Sequence, residues 1–341
     1  MGSGPRQRRG PERKQETSVS LFSYIMRRVL ISLVTVFVVV SLTFFLMNLM
    51  PGDPFIGNKA VPKAIKDNLY AKYGLDKPLF ERYLMYLGNL AKGDLGMSMT
   101  YKNQKVVNVI KQAFPVSADL GIRSLLFGVI GGLLLGVVAA LHHNGPWDTA
   151  ATLLAIIGVS IPGFLIGTLV QYIFGFLFSN VVKDIFDTSY QLIPIARWEG
   201  FRYTLLPSFA LGFASLALTS RMMRTSMLDV LHQDYIKTAK SKGLTPLQVT
   251  WKHTIRNAIL PVITVLGPLT AAVMTGTFVI ERIFAIPGLG KFFVQSVQMY
   301  DYTMILGLTL FFATFLIFMN LVVDIAYGLI DPRIRLAKGK A

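Results

Sequence analysis

The chain has 341 residues, is 53% hydrophobic and carries a formal net charge of +16. It has no cysteine, which excludes disulfides, thiolate nucleophiles and cysteine-based metal sites. The positive charge accompanies several uncharged apolar runs longer than the roughly 20 residues that cross a bilayer. No nucleic-acid motif goes with it, so the basic residues read as the loops of a polytopic, all-α membrane protein and not as a nucleic-acid surface.

Residues 1–20 set glycine and proline among Arg6, Arg8, Arg9, Arg13 and Lys14, which predicts a disordered, basic cytoplasmic tail. Residues 21–50 form the first transmembrane helix. Arg27-Arg28 precede the charge-free run 29–50, whose length suits a retained span better than a cleaved signal. Pro51-Gly52-Asp53-Pro54 ends it. Residues 51–115, with ten Lys/Arg, are expected to be a small extracytoplasmic insertion with short helices over 64–73 and 79–90. A core domain over 116–330 holds five further spans, at 116–141, 149–178, 204–220, 258–280 and 302–323. In the second, Asp119 and Arg123 stand four apart, the favourable order for a helical ion pair. Gly128, Gly131, Gly132 and Gly136 predict close packing on another helix.

The third run has Pro162-Gly163 in its middle and the fifth has Gly267-Pro268; both are expected to kink, and these four residues are the gating and pathway candidates. An outer loop covers 281–301, and Asp324 lies at the inner end of the sixth span. A basic cytoplasmic tail, 331–341, closes the chain. With the N-terminus inside, inner segments hold eighteen Lys/Arg and the short outer loops five. That asymmetry predicts six spans with both termini in the cytoplasm, where the segment 221–257 also falls.

This segment is polar and basic, yet it carries well-made helix signals. Met223, Met227, Leu231 and Tyr235 recur every four residues, which predicts one helix running to Gly243. Thr245-Pro246-Leu247-Gln248 reads as the start of a second, short helix over 244–254. Thr245 is its cap, Pro246 takes the first position, and Gln248 closes a capping box. Leu247, Val249 and Trp251 give that helix an apolar face to bury against a partner, or else against lipid.

Other chemistry is missing from the sequence. There is no Gly-x-x-x-x-Gly-Lys-Ser/Thr phosphate loop, no His-Glu-x-x-His and no Gly-x-Ser-x-Gly elbow. The spans lack paired carboxylates and proton relays. The adjacent His142-His143 make a poor metal site. The chain is therefore expected to be non-catalytic, with no metal and no cofactor of its own. An energy-coupled transporter of this kind needs another subunit for its energy, whereas a stand-alone secondary transporter would need the buried titratable groups and internal repeat absent here.

The motifs taken together resemble the membrane permease subunits of bacterial ATP-binding-cassette importers, in the dipeptide/oligopeptide branch and of its B type. Lys237-Thr238-Ala239-x-x-x-Gly243 followed by Ile259-Leu260-Pro261 is similar to the family's Glu-Ala-Ala…Gly…Ile-x-Leu-Pro loop, with Lys237 and Thr238 departing from it. Pro51-Gly52-Asp53-Pro54, Gly74-Leu75-Asp76-Lys77-Pro78, Gly93-Asp94-Leu95-Gly96-x-Ser98, Glu281-x-Ile283-Phe284 with Pro287-Gly288-Leu289-Gly290, and Asp331-Pro332-Arg333 follow in the branch's order. The resemblance implies the six-span, type I importer permease fold and a second, homologous permease subunit. It implies two ABC ATPase subunits that bind ATP and magnesium, an extracytoplasmic binding protein, and a peptide as substrate. It also implies a coupling element seated on an ATPase, comprising Tyr235, Ala239, Gly243, Leu244, Thr245, Pro246, Leu247, Val249, Trp251, His253, Asn257 and Pro261. Permeases for nickel chelates or glutathione belong to the same family, so the substrate stays open.

Overall fold

The computed structural model describes residues 21–49, 52–53, 55, 62–186, 194 and 198–330, with the side chains of 21–25, 275–276 and 323–330 left aside. The basic tails 1–20 and 331–341, the Asp331-Pro332-Arg333 motif and the side chain of Asp324 lie outside what is described. Fourteen α-helices and two π turns make up the described residues, with no strand among them. Five helices are long and apolar enough to cross a membrane, and a bent pair joined at Ile259 makes a sixth.

The first span, α1 (Leu21–Leu49), is 29 residues long and presents Leu30, Leu33, Val34 and Phe37 outward. Such a face suits lipid. The cap that follows contains α2 (Lys63–Tyr73) and α3 (Leu79–Ala91), close to the predicted bounds. Between them Gly74 takes φ 67°, the left-handed conformation that ends α2 and that glycine adopts without strain.

The cap is tied down at three places. Tyr86 of α3 stacks on Phe44 of α1 and Tyr83 packs on it at a tilt, each with ring centroids 5.4 Å apart. Asp53 accepts from Tyr70 (2.9 Å) and pairs with Lys66 (2.6 Å), while the Tyr302 hydroxyl reaches Gly52 O at 2.8 Å. Burial raises the Asp53 pKa, but the Lys66 ammonium and the N–H and O–H donors outweigh it and hold the carboxyl below its ordinary value. The third tie is Asp301, fully buried. It accepts from Ser98 Oγ, from Met99 N and Thr100 N at 3.1 Å each, and from Met304 N at 3.0 Å. One carboxylate thus caps the last span and grips the Gly96-x-Ser98 turn some 200 residues away in the chain. Asp301→Ala leaves buried donors unpaired at about 1–3 kcal/mol each. Limited proteolysis of purified protein should then cut 92–105 faster, with helical content unchanged by circular dichroism.

α4 (Val106–Leu141) begins ten residues before the predicted span and carries Pro115 inside it. Its 36 residues span about 54 Å at 1.5 Å per residue, well beyond a hydrocarbon core of about 30 Å. Proline removes one helical hydrogen bond, but Val106, Val109, Ile110 and Ala113 pack against Leu289, Met304 and Leu308 and carry the helix through. As predicted, Asp119 pairs with Arg123, at 2.8 Å.

α8 (Phe201–Leu231) is the helix against which α4 and the third run pack. A Cβ at Gly128, Gly132 or Gly136 would lie 2.6–2.7 Å from the carbonyl oxygen of Gly212, Leu216 or Ser220. The four-residue glycine ladder therefore brings the two backbones into contact, as its spacing predicts.

The third run, predicted as one span over 149–178, is two pieces. α5 (Pro146–Ser160) ends at Ile161 (φ −92°, ψ 125°) and Pro162 (φ −55°, ψ 135°), both extended, and α6 (Gly163–Val170) starts afresh. Pro162 cannot donate to the turn before it and biases Ile161 out of the helical region, so the expected kink is a full break. A π turn (Gln171–Leu177) and α7 (Phe178–Phe186) continue it. In the fifth span Pro268 lies inside a continuous helix. α12 (Leu260–Ile283) runs through Pro268 as one helix, and the 48° bend lies at Ile259, ahead of Pro261.

The predicted outer loop 281–301 is largely ordered as the end of α12 and as α13 (Leu289–Gln298), before α14 (Tyr302–Ile330). Glu281 is fully buried, and its Oε2 accepts from Gly290 N at 2.7 Å. A Cβ at Gly288 or Gly290 would meet that carboxyl at 2.4 and 2.8 Å. The Pro287-Gly288-Leu289-Gly290 motif is the seat of a buried carboxyl.

Candidate functional site

At the end of the bundle opposite the cap, residues 232–259 form a compact element of their own. It starts where α8 stops. Met223 and Met227 are buried with Ala140, Ala258 and Val262, so this part of the predicted amphipathic helix is packing inside the bundle. The helix does not run on to Gly243. His232 Nδ1 bonds Leu228 O at 2.7 Å, Gln233 turns extended (φ −73°, ψ 147°), and α9 (Asp234–Ser241) begins. Asp234 in its first turn favours a new N-terminus there through the helix dipole. Tyr235 therefore lies on α9, 43% exposed, and not on the face of Met223 and Met227.

α9 ends as the sequence predicts. Gly243 has φ +79°, and its N–H bonds Lys240 O at 3.0 Å. Nothing lies within 4 Å of the Cβ position there, so the demand on residue 243 is conformational alone. Gly243→Ala should lower stability by about 1–2 kcal/mol, the left-handed penalty, and Gly243→Asn by less. Thermal unfolding of the purified permease reads this directly; equal midpoints for wild type and Gly243→Ala would refute it.

The capping box is formed in full. Gln248 N donates to Thr245 Oγ1 at 3.3 Å and Thr245 N to Gln248 Oε1 at 3.0 Å, with Pro246 in the first position. α10 (Pro246–Gln248), a π turn (Val249–Ile255) and α11 (Arg256–Ala258) then wind as one segment, longer than the predicted 244–254. That segment meets α12 at the 48° bend.

The side chains divide into two sets. Val249 is 2% exposed and packs on Ile236 and Ala239 of α9, with Leu244 at the edge. Val249 and Ala239 therefore hold the element together and are not on its free face, against the expectation for Val249. Leu247 and Trp251, four residues apart, are 68% and 62% exposed. Thr245, Pro246, Asn257 and Pro261 are exposed as well, and His253 is half-buried, its carbonyl accepting from Asn257 Nδ2 at 2.7 Å. Ile236, fully buried, is the keystone that sequence reading missed; its spacing of three from Ala239 was the available signal. Lys237 and Thr238, the departures from the family loop, lie on the exposed side of α9, where both engage Asp234, by its side chain at 2.9 Å and its carbonyl at 3.0 Å. Neither touches the packed interior, so either residue type fits. Exposed Lys240, Lys242, Lys252 and Arg256 surround the apolar pair with positive charge. Among the described residues no group of three or more His, Asp or Glu is placed to hold a metal ion.

Of the pathway candidates, Pro162 and Gly163 are exposed at the break of the third run. Gly267 is buried within α12 and Pro268 exposed beside it. The structure does not bring these two pairs together into one site.

The structure is an all-helical membrane bundle whose element 232–259 presents an exposed apolar pair at one end. Sequence comparisons identify its class. Residues 132–336 match the family described as the binding-protein-dependent transport system inner membrane component, and 21–121 match its membrane-component N-terminal family. The chain belongs to this family and is a multi-pass permease subunit of the inner membrane. It is 44% identical to the dipeptide transport system permease protein DppB of Bacillus subtilis (strain 168), over 92% of this chain and 98% of that one. Against DppB of Lactococcus lactis subsp. cremoris (strain MG1363) the identity is 39%, covering 93% and 100%. Against the oligopeptide transport system permease protein OppB of Haemophilus influenzae it is 40%, covering 92% and 100%.

Proposed function

We propose that this chain is one of two permease subunits of an ATP-driven peptide importer, and that the segment 246–258 is the element through which ATPase subunits move it. The observation that carries this reading is the exposed pair Leu247 and Trp251 on a capped helical segment that continues, through one 48° bend, into the membrane span α12. A large apolar pair exposed on a rigid support is the anchor of an interface. A partner that grips it and moves displaces α12 with it, a rigid-body transition of packed elements.

In this reading the 232–259 end and both termini face the cytoplasm, as the Lys/Arg asymmetry supports. Two ABC ATPases bind ATP and magnesium there. A second homologous permease completes the pathway, and a binding protein delivers peptide to the cap. The relatives named for dipeptide and oligopeptide transport support peptide as the cargo. The breaks at Pro162 and at Ile259 are the joints at which spans tilt.

The test is uptake of a peptide library by a strain lacking this gene, with and without the wild-type copy, together with affinity purification of the tagged chain. Peptide uptake restored by the gene, and two ATPase copies recovered with it, are the expected results. Restored uptake of a nickel chelate or glutathione in place of peptides would replace the cargo. Substrate movement by the purified chain in liposomes under an ion gradient alone would overturn the whole reading.

A further inference from the structure

The contact between α5 and α8 leaves a groove that the docking element does not use. The two helices run antiparallel and are pinned twice. At one pin Asp148, 4% exposed, accepts both arms of Arg224 and also Asn144 N at 2.9 Å. At the other, Gly158 lies so close to α8 that a Cβ there would sit 2.4 Å from Ala217 Cβ. Ala151 and Ala155 are buried between the pins, and an open groove of about 370 Å³ lies beside them. α5 supplies Thr152, Ile156 and Ser160; α8 supplies Ser220, Arg221 and Thr225.

The charges of the groove do not balance. Arg224 is neutralised by Asp148. Arg221 is exposed, and among the described residues no carboxylate pairs with it. The result is a trough with an apolar side, several hydroxyls and one uncompensated guanidinium. Five N–H donors in a fixed fork match the paired oxygens of a carboxylate or a phosphate, and a peptide brings the carboxylate. The hydroxyls of Thr152 and Ser160 offer further donors to a polar group.

We propose that this groove holds the C-terminal carboxylate of a peptide in transit, with Arg221 as the carboxylate-binding residue and Ile156 beside the last side chain. The proposal rests on the peptide-permease reading and deepens it. Ser160 stands at the upper edge of the groove, directly before the break at Ile161-Pro162. A tilt of α5 about that break changes the groove's width, so occupancy and span movement are linked at one place.

The test uses the complete membrane complex, permeases and ATPases, in nanodiscs of neutral lipid without the binding protein. The probes are an N-terminally fluorescent Ala-Leu-Leu tripeptide and its C-terminal amide, followed by anisotropy. The free acid should bind about 10- to 100-fold more tightly than the amide, the range of a charge-assisted hydrogen-bonded pair. Arg221→Gln should erase that preference in a complex that still assembles, and Arg221→Lys should keep part of it. Equal binding of acid and amide by wild type, or an unchanged preference in Arg221→Gln, would overturn the proposal. So would loss of co-purifying anionic phospholipid from Arg221→Gln with no binding of either tripeptide, which would make the groove a headgroup site. ATP-dependent uptake of the same tripeptide by the complete system, measured in parallel, reports on the peptide-permease reading separately.

Discussion

Leu247→Asp is expected to abolish ATPase association and uptake while the chain still inserts and folds. Leu247 is 68% exposed, so aspartate there meets water in the isolated permease and costs the fold little. In the complex the same carboxylate would have to lose its hydration inside an apolar groove without a partner. Truncation of a central anchor costs about 2–4 kcal/mol of binding, or roughly 30- to 1,000-fold in affinity. Trp251→Ala should fall in the same range, since it removes the larger half of the pair. Pull-down of the ATPases by detergent-solubilised permease measures this, with thermal unfolding as the control for folding. Val249→Asp separates docking from folding. Val249 is 2% exposed against Ile236 and Ala239, so that variant should unfold the 234–258 element and become protease-sensitive there. If Leu247→Asp retains full ATPase association, the docking surface lies elsewhere.

Asp148→Ala should be the most damaging single change to the bundle. It removes the carboxylate that joins the 142–145 connection, α5 and α8, and leaves Arg224, 26% exposed, without its partner. Breaking a buried pair from one side costs about 3–5 kcal/mol. The partial exposure of Arg224 puts the expected loss near the low end, at about 3 kcal/mol. The unfolding midpoint of the purified protein should drop accordingly, and the double change Asp148→Ala with Arg224→Leu should recover a large part of it. Asp148→Asn should lie between, because it keeps one acceptor and loses the charge. A midpoint for Asp148→Ala within error of wild type would remove the pin from the account of how α5 and α8 are held.

Much of this chain is legible without coordinates because its signals are local. The spans follow from runs of apolar residues, since a bilayer imposes length and apolarity on any helix that crosses it. The capping box at Thr245 and Gln248, the left-handed stop at Gly243 and the ion pair of Asp119 with Arg123 all involve residues within four positions of each other. The glycine ladder 128–132–136 announced a close helix contact because nothing but a neighbouring backbone fills the place of three missing side chains.

Where the reading needed correction, the deciding contact came from far along the chain. Residues 106–115 are helical, ahead of the predicted start at 116, because Leu289, Met304 and Leu308 cover them. Val249 looked like part of a docking face until Ile236 and Ala239 folded over it.

Sequence by itself determined the membrane class, the rough places of the spans, the family and the position of the helix–turn–helix between 221 and 261. Periodicity, caps and charge are properties of short stretches. Only the tertiary structure decided which apolar residues of that element face outward, because Leu247 and Val249 are equally apolar and differ only in what packs against them. The same holds for Asp148, Glu281 and Asp301. In the sequence they are single acidic residues, and their partners are Arg224, the Gly288–Gly290 turn and the Ser98 turn, which the fold alone brings to them.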